Sequence, residues 1–310
     1  MLTVSLQELV RNAIVNAHAR GDQVITLERF CAELLRDGRF AEMIWQCGGD
    51  TEELASQLAC HIDDAKHATC VANKDSLLKA LLQSNEPERL IIRNVGGLPP
   101  DIQQWLETND TAVNGRILLE VTELVNLVDK TIDSTAAGVD ARPWLAADCE
   151  RSFLRAFIQM AAAFQASVAE GDLLAAMLEE KDAHAVCLLN KQGVSRIDVL
   201  NNICHGISKR QGGIYKSIVR TTPPRFFDLL SRFKLVLHND HYTPMQFVVT
   251  TLELEFAKST MEATEMMLAV HRTNSVVVGE YPFSLAQRMA HKVVSLAQAA
   301  EFPLLMTVGK

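Results

Sequence analysis

Apolar residues recur three and four positions apart from the first turns of this chain. Leu6, Leu9, Val10, Ala13 and Ile14 share one helical face, and Gly21-Asp22 break the run. Thr26 ahead of Leu27-Glu28-Arg29 reads as the start of a second helix, with Phe30, Leu34 and Leu35 on its apolar side and Gly38 as its stop. A short helix is expected over residues 41–47, stopped by Gly48-Gly49. Asp50 or Thr51 can cap the next, which carries Leu54, Leu58 and Ile62. A later stretch repeats this plan. Residues 149–166 read as one helix, with Phe153, Phe157, Met160 and Phe164 on one face. Gly171-Asp172 opens the apolar run to Leu178, Asp182 precedes a short helix through Val186 and Leu189, Gly193 ends it, and Ser195 can cap residues 197–205. Glu28–Leu35 aligns with Gly171–Leu178, so two copies of one four-helix unit is the economical reading.

The two copies are separated by residues from about 66 to 143. These contain an expected helix at about 77–82, a break at Gly96-Gly97-Leu98-Pro99-Pro100, and apolar stretches near Trp105 and over 117–127. A structureless connection of that length is unusual within a compact domain, so extra helices are expected.

The pattern changes after residue 206. Gly212-Gly213 and Pro223-Pro224 break the chain, and Lys209, Arg210, Lys216, Arg220, Arg225, Arg232 and Lys234 face a single acid, Asp228. Residues 207–232 read as a basic linker or a docking strip for an acidic partner. Beyond it, residues 233–238 alternate as a strand, 239–243 form a polar loop, and Pro244 suits the first turn of a helix to about 257. Ser259 caps a second helix ending near His271, residues 275–281 are a β-branched strand, 284–300 a helix and 303–308 a last strand. The chain is therefore expected to be an all-α helical double repeat over residues 1–206 with an insert at about 66–143, followed by a small α+β domain, β-α-α-β-α-β, over 233–310.

Composition narrows the function classes. Apolar residues make up 48% and charged residues 22%, enough apolar material for a core in each part. The net charge of -8 argues against nucleic acid as a partner, and no apolar run reaches the ~18 residues of a membrane span. Seven cysteines, an odd number with no CxxC pair, read as reduced core residues of a cytoplasmic protein. Gly213-Ile214-Tyr215-Lys216-Ser217 lacks the spacing of a phosphate loop. His238, Asp240, His241 and His271 include ligand types for zinc, but no second metal motif accompanies them. Neither a metal, a cofactor nor an enzyme activity is indicated.

Two resemblances give these patterns content. The run Ala185-Val186-Cys187-Leu188-Leu189-Asn190-Lys191-Gln192-Gly193-Val194-Ser195-Arg196-Ile197-Asp198-Val199-Leu200, closed by His205-Gly206, resembles the N-terminal domain of ClpA-type Clp unfoldases, an all-helical pseudo-repeat that docks adaptors and substrates. The insert is much longer than that family's usual connection. Leu237–Val248, Ala263-Thr264 with Met267–His271, Val277-Val278-Gly279 and Glu301–Leu305 stand in the order and spacing of ClpS adaptors.

The second resemblance implies a pocket for the N-terminal residue of a protein substrate. An α-ammonium group needs oxygens that accept its protons, and a bulky apolar side chain needs a dry socket. By position, Asn239, Asp240 and His271 belong to the ammonium end, while Thr243, Met245, Val248, Met267 and Val270 line the socket. Two departures stand out. His241 replaces a second acid, and Ser284 and Met289 occupy the positions of a Glu and a Lys that face the unfoldase. The resemblance implies a non-enzymatic adaptor that delivers N-degron substrates to a ClpA-type AAA+ unfoldase. The departures favour the alternative, a regulator or decoy with a weakened pocket. Fusion of the two modules implies docking within one chain or between two chains in a dimer.

Overall fold

The computed structural model of this chain describes residues 2–22, 24–64, 144–163, 165–219 and 231–310. The helices expected in the insert, Cys70 and Pro223-Pro224 lie outside the described residues. The chain divides into two compact units, one from residues 1–41 and 51–191, the other from 42–50 and 192–310.

The first unit is mostly helical. It contains α1 (Val4–Arg20), β1 (Val24–Ile25), α2 (Leu27–Leu34), the first part of α3 (Gly38–Gln46), α4 (Thr51–Asp64), β2 (Trp144–Leu145), α5 (Ala147–Ala162), α6 (Glu170–Met177) and α7 (His184–Lys191). Local rules account for its boundaries. The Thr26 hydroxyl accepts from the backbone N–H of Arg29, as the sequence suggested, and Gly21 closes α1 in the left-handed region with φ 77°. Gly38 departs from expectation: it opens α3 and does not stop α2. The Asp37 carboxylate accepts from Arg39 N at 2.9 Å and Phe40 N at 3.1 Å, so the helix start is fixed one residue before the glycine. Helix α5 ends at Ala162, short of residue 166.

Short backbone pairings link the ends of the long helices of this unit. α2 begins at Leu27 and α6 at Glu170, so Glu28 and Gly171 each stand second in their helices. β1 pairs in parallel with β2, Val24 with Trp144 and Ile25 with Leu145, while Leu2 bridges Val168 in parallel. The segment ahead of each long helix thus pairs with the segment behind the other. This reciprocal exchange gives both chain crossings backbone partners, with Thr3 N donating to Val168 O and Ala146 N to Ile25 O, each at 2.9 Å. Phe30 of α2 packs on Phe153 of α5 at 5.5 Å between ring centroids, joining the two helices in the core.

The second unit contains α8 (Arg196–His205), α9 (Gly213–Ser217), β3 (Arg232–His238), α10 (Met245–Phe256), α11 (Thr260–Thr273), β4 (Ser275–Pro282), α12 (Phe283–Ala299) and β5 (Leu305–Gly309). The sheet order is β4-β3-β5, antiparallel throughout. Phe233, Leu235 and Leu237 of the central strand are buried alternately with more exposed neighbours. Ala286, Ala290, Val293, Val294 and Ala297 line the buried side of α12, which packs across all three strands. The β3–β4 register shifts between Leu235 and Val236. Nearby, Gly279 leaves room for the Tyr281 ring, which a Cβ there would meet at 2.8 Å.

The stretch read as a basic linker is in its first half part of this core. Ile207, Ile214 and Ile218 are buried in the same apolar cluster as Leu237 and Val308. Val219 bridges Val308 in parallel, and Val308 N donates to Ile218 O at 2.8 Å, which adds a backbone partner at the β5 edge. Tyr215 stacks on His291 of α12, His205 Nε2 lies 2.7 Å from Pro303 O, and the Asn201 amide donates to Gln298 Oε1 at 3.2 Å. The cations of the stretch are seated as well. Lys209 meets Asp198 at 2.8 Å, and Arg210 donates to Trp45 O at 2.7 Å with its guanidinium 4.8 Å from the Trp45 ring centre. Charge marked this segment as solvated, and the spacing of its isoleucines seats it in the core.

Among the described residues, Cys31, Cys47 and Cys149 are buried and Cys60 is exposed. No helix there is long and apolar enough to cross a membrane.

Two predictions follow from this packing. Fully burying one isoleucine contributes roughly 1.5–3 kcal/mol. A fragment of residues 206–310 is therefore expected to unfold in urea at a clearly higher midpoint than one of residues 231–310, and equal midpoints would show that the isoleucines add nothing. Burial pushes the Cys31 and Cys47 thiols up to about 12 and Cys149 well above its ordinary value. A thiol reagent at neutral pH should modify native Cys60 before these three, as read by peptide mapping over time.

Candidate functional site

Strand β3 ends at His238, whose Nε2 lies 2.8 Å from the Thr307 hydroxyl of β5. The next residue, Asn239, donates its backbone N–H to Asn274 O at 2.9 Å. Asn274 caps α11 in the left-handed region with φ 64°, a conformation that asparagine tolerates better than most residues. This bond draws the 239–243 loop to the C-terminal end of α11. His271 stands exposed in the last turn there, three residues before the cap. Asn239 and His271, assigned to one end of the pocket from sequence, are thus on segments joined by a direct hydrogen bond.

Asp240 faces its own loop. One carboxylate oxygen accepts from Tyr242 N at 2.8 Å and Thr243 N at 2.6 Å, and the other accepts from the Thr243 hydroxyl at 2.8 Å. The Thr243 hydroxyl is therefore committed to Asp240, although the residue was expected to line the socket. Pro244 follows with φ -60° as the N-cap of α10 and supplies no side-chain cap. His241, at the tip of the loop, is exposed.

The apolar positions divide between core and surface. Val248 and Val270 are buried in the domain core, and Met267 packs against it in part. Met267, Val270 and His271 are three and four residues apart and share one side of α11, which packs on α10. Met245, at the first position of α10, is 46% exposed, so a flexible thioether remains accessible beside the loop. The second helix is firmly started: Ser259 and Glu262 form a reciprocal capping box, and these bonds hold the Glu262 carboxyl below its ordinary value.

Ser284 is exposed at the beginning of α12, as a contact position requires. Met289 is different. It packs in part against the domain core, so its thioether has an internal role. Lys292, one turn further on, pairs with Glu255 of α10 at 2.6 Å. Sequence reasoning missed Asn274, and the signal was available, since an Asn after a helical run and before a β-branched strand marks a left-handed cap.

Asn274→Val is expected to destabilise the domain by about 1–2 kcal/mol, because a β-branched residue is strained at this φ. Asn274→Gly should be close to neutral in the same urea titration. Equal loss in both would place the effect in the side chain and not in the backbone conformation.

Residues 230–307 match the family described as ATP-dependent Clp protease adaptor protein ClpS. The ATP-dependent Clp protease adapter protein ClpS of Shewanella loihica is 40% identical over 80 residues, 26% of this chain and 78% of that protein. Its counterpart in Shewanella piezotolerans is 42% identical over 78 residues, 25% of this chain and 76% of that protein. Among solved structures, Agrobacterium tumefaciens ClpS2 bound to L-phenylalaninamide is similar at 34% identity, covering 25% of this chain and 93% of that one, with a TM-score of 0.25.

Proposed function

This chain belongs to the ClpS adaptor family through its C-terminal domain, and from that premise we propose that the domain binds the free N-terminal residue of protein substrates and delivers them to a ClpA-type AAA+ unfoldase. The matching proteins are described as adaptors of the ATP-dependent Clp protease. One observation carries the finer reading. The Asn239–Asn274 hydrogen bond brings the polar loop to the end of α11, beside the side of that helix that carries Met267, Val270 and His271. In this reading the Asn239 amide oxygen and a ring nitrogen of His271 accept from the α-ammonium group, while Met245, Val248, Met267 and Val270 receive an apolar first side chain. Asp240 and His241 set the local charge.

The helical region is part of the same proposal. Its reciprocal β1–β2 and Leu2–Val168 pairings suit a duplicated docking module of the kind found at the N-terminus of ClpA-type unfoldases. In this role it supplies contacts to the degradation machinery.

A second reading, a regulator or decoy, is favoured by two observations. His241 is exposed at the loop tip where a second carboxylate is expected from the resemblance, and Met289 is drawn towards the core where a lysine would reach outward. In that case the domain occupies Clp components without efficient delivery.

The test is fluorescence anisotropy of the whole chain with a Phe-initiated peptide and its N-acetylated form. Binding of the free peptide and loss of binding on acetylation are expected, because acetylation removes the recognised charge. A unit charge at 4 Å is worth at most about 4 kcal/mol at an effective dielectric of 20, and solvent reduces that. His241→Asp should therefore raise affinity for the free peptide roughly tenfold, or about 1.4 kcal/mol, and leave the acetylated one unchanged. Equal binding of both peptides would refute the pocket.

A further inference from the structure

Asp240 is the acid expected at the ammonium end, yet its bonds point elsewhere. An ionised carboxylate has about four lone-pair positions for donors. Three are taken by Tyr242 N, Thr243 N and the Thr243 hydroxyl, all within three residues of Asp240 itself. The distances are 2.8, 2.6 and 2.8 Å, at or below the usual lengths for these donors. Pro244, the N-cap residue of α10, supplies no side-chain cap of its own.

We infer that Asp240 is a positioning residue for the proposed N-terminal-residue pocket: its carboxylate braces the 240–243 turn and so sets where Met245 enters α10 relative to Asn239. The brace closes a short path. Asn239 is tied to the end of α11 by its bond to Asn274 O, and Met245 begins the helix packed on α11. Between these fixed points lie only Asp240, His241, Tyr242, Thr243 and Pro244. Pro244 has its φ fixed by its ring, and Asp240 binds two of the four backbone N–H groups of residues 240–243. Loosening the brace lets the ammonium end and the rim of the socket move independently. The negative charge of Asp240 still adds to the field at the site, but the direct acceptors for the ligand's protons are supplied by Asn239 and His271.

This inference rests on the pocket reading above, and the experiment separates the two. In the whole chain, Asp240→Asn keeps a carbonyl oxygen for the backbone donors and removes the charge. Asp240→Ala removes both. Hydrogen bonds to a charged group are among the stronger ones in a protein, and tenfold in affinity is about 1.4 kcal/mol. Asp240→Ala is therefore expected to weaken the Phe-initiated peptide at least tenfold and to raise amide hydrogen exchange at Tyr242 and Thr243, with exchange in β3 and α12 unchanged. Asp240→Asn should weaken the peptide by only a few-fold and keep those two amides protected. Thr243→Val removes the third donor, and its loss should be non-additive with Asp240→Ala because both act through one brace. Equal loss in the Asn and Ala variants, with the two amides protected in both, would overturn the inference and make Asp240 a direct charge partner. So would additive losses in the double variant. If the wild-type chain fails to bind the peptide, the pocket reading fails, and unchanged exchange in Asp240→Ala would then overturn the brace on its own terms.

Discussion

The C-terminal domain depends on covering one face of a narrow sheet. Three strands cannot bury an apolar face on their own, and α12 does this by laying Ala286, Ala290, Val293, Val294 and Ala297 across Phe233, Leu235 and Leu237. The small residues on α12 let helix and sheet approach closely. With that layer in place, the end of the central strand is held rigidly, and the loop that leaves it at Asn239 begins from a fixed point. The candidate site is an outcome of this arrangement: a loop at the end of a buried strand, met by the end of a helix whose left-handed cap at Asn274 turns the chain back into the sheet.

The same need for cover explains the role of residues 207–219. The β5 edge would otherwise present unpaired backbone groups, and Ile218 O accepts from Val308 N there while Ile207, Ile214 and Ile218 extend the core. A charged segment can be buried in this way because only alternate parts of it enter. Lysine and arginine stems lie along the surface, and their heads find Asp198 and the carbonyl oxygen of Trp45.

In the helical unit the organising constraint is reciprocity. Each short strand segment is too small to stand alone, so the segments pair across the unit, Leu2 with Val168 and Ile25 with Leu145. Buried charge follows the same logic of mutual support. Glu180 is held between Arg151 and Arg155, with an Arg151 Nη2 contact at 2.6 Å, and Glu33 receives Arg20 at 2.6 Å.

What was legible in the amino-acid sequence alone was local. Thr26, Ser195 and Ser259 cap helices because their oxygens need only reach an N–H three residues away, and Pro244 directs the chain into α10 through its own ring. The order of strands and helices after residue 231 and the mostly helical character before it were legible for the same reason, as periods and spacings within short windows. Distant partners were not. The sequence cannot say that Ile218 lies against Val308 ninety residues later, that Met289 turns towards the core, or that Asn239 is bonded to Asn274. Even for Asp240 the bonding was decided by the conformation of the turn. An acid beside a pocket reads as a ligand for charge until the backbone donors that already occupy it are seen. Patterns in sequence report what neighbours along the chain require, and only the tertiary structure decides which surfaces meet, because burial is a property of the pair and not of either residue.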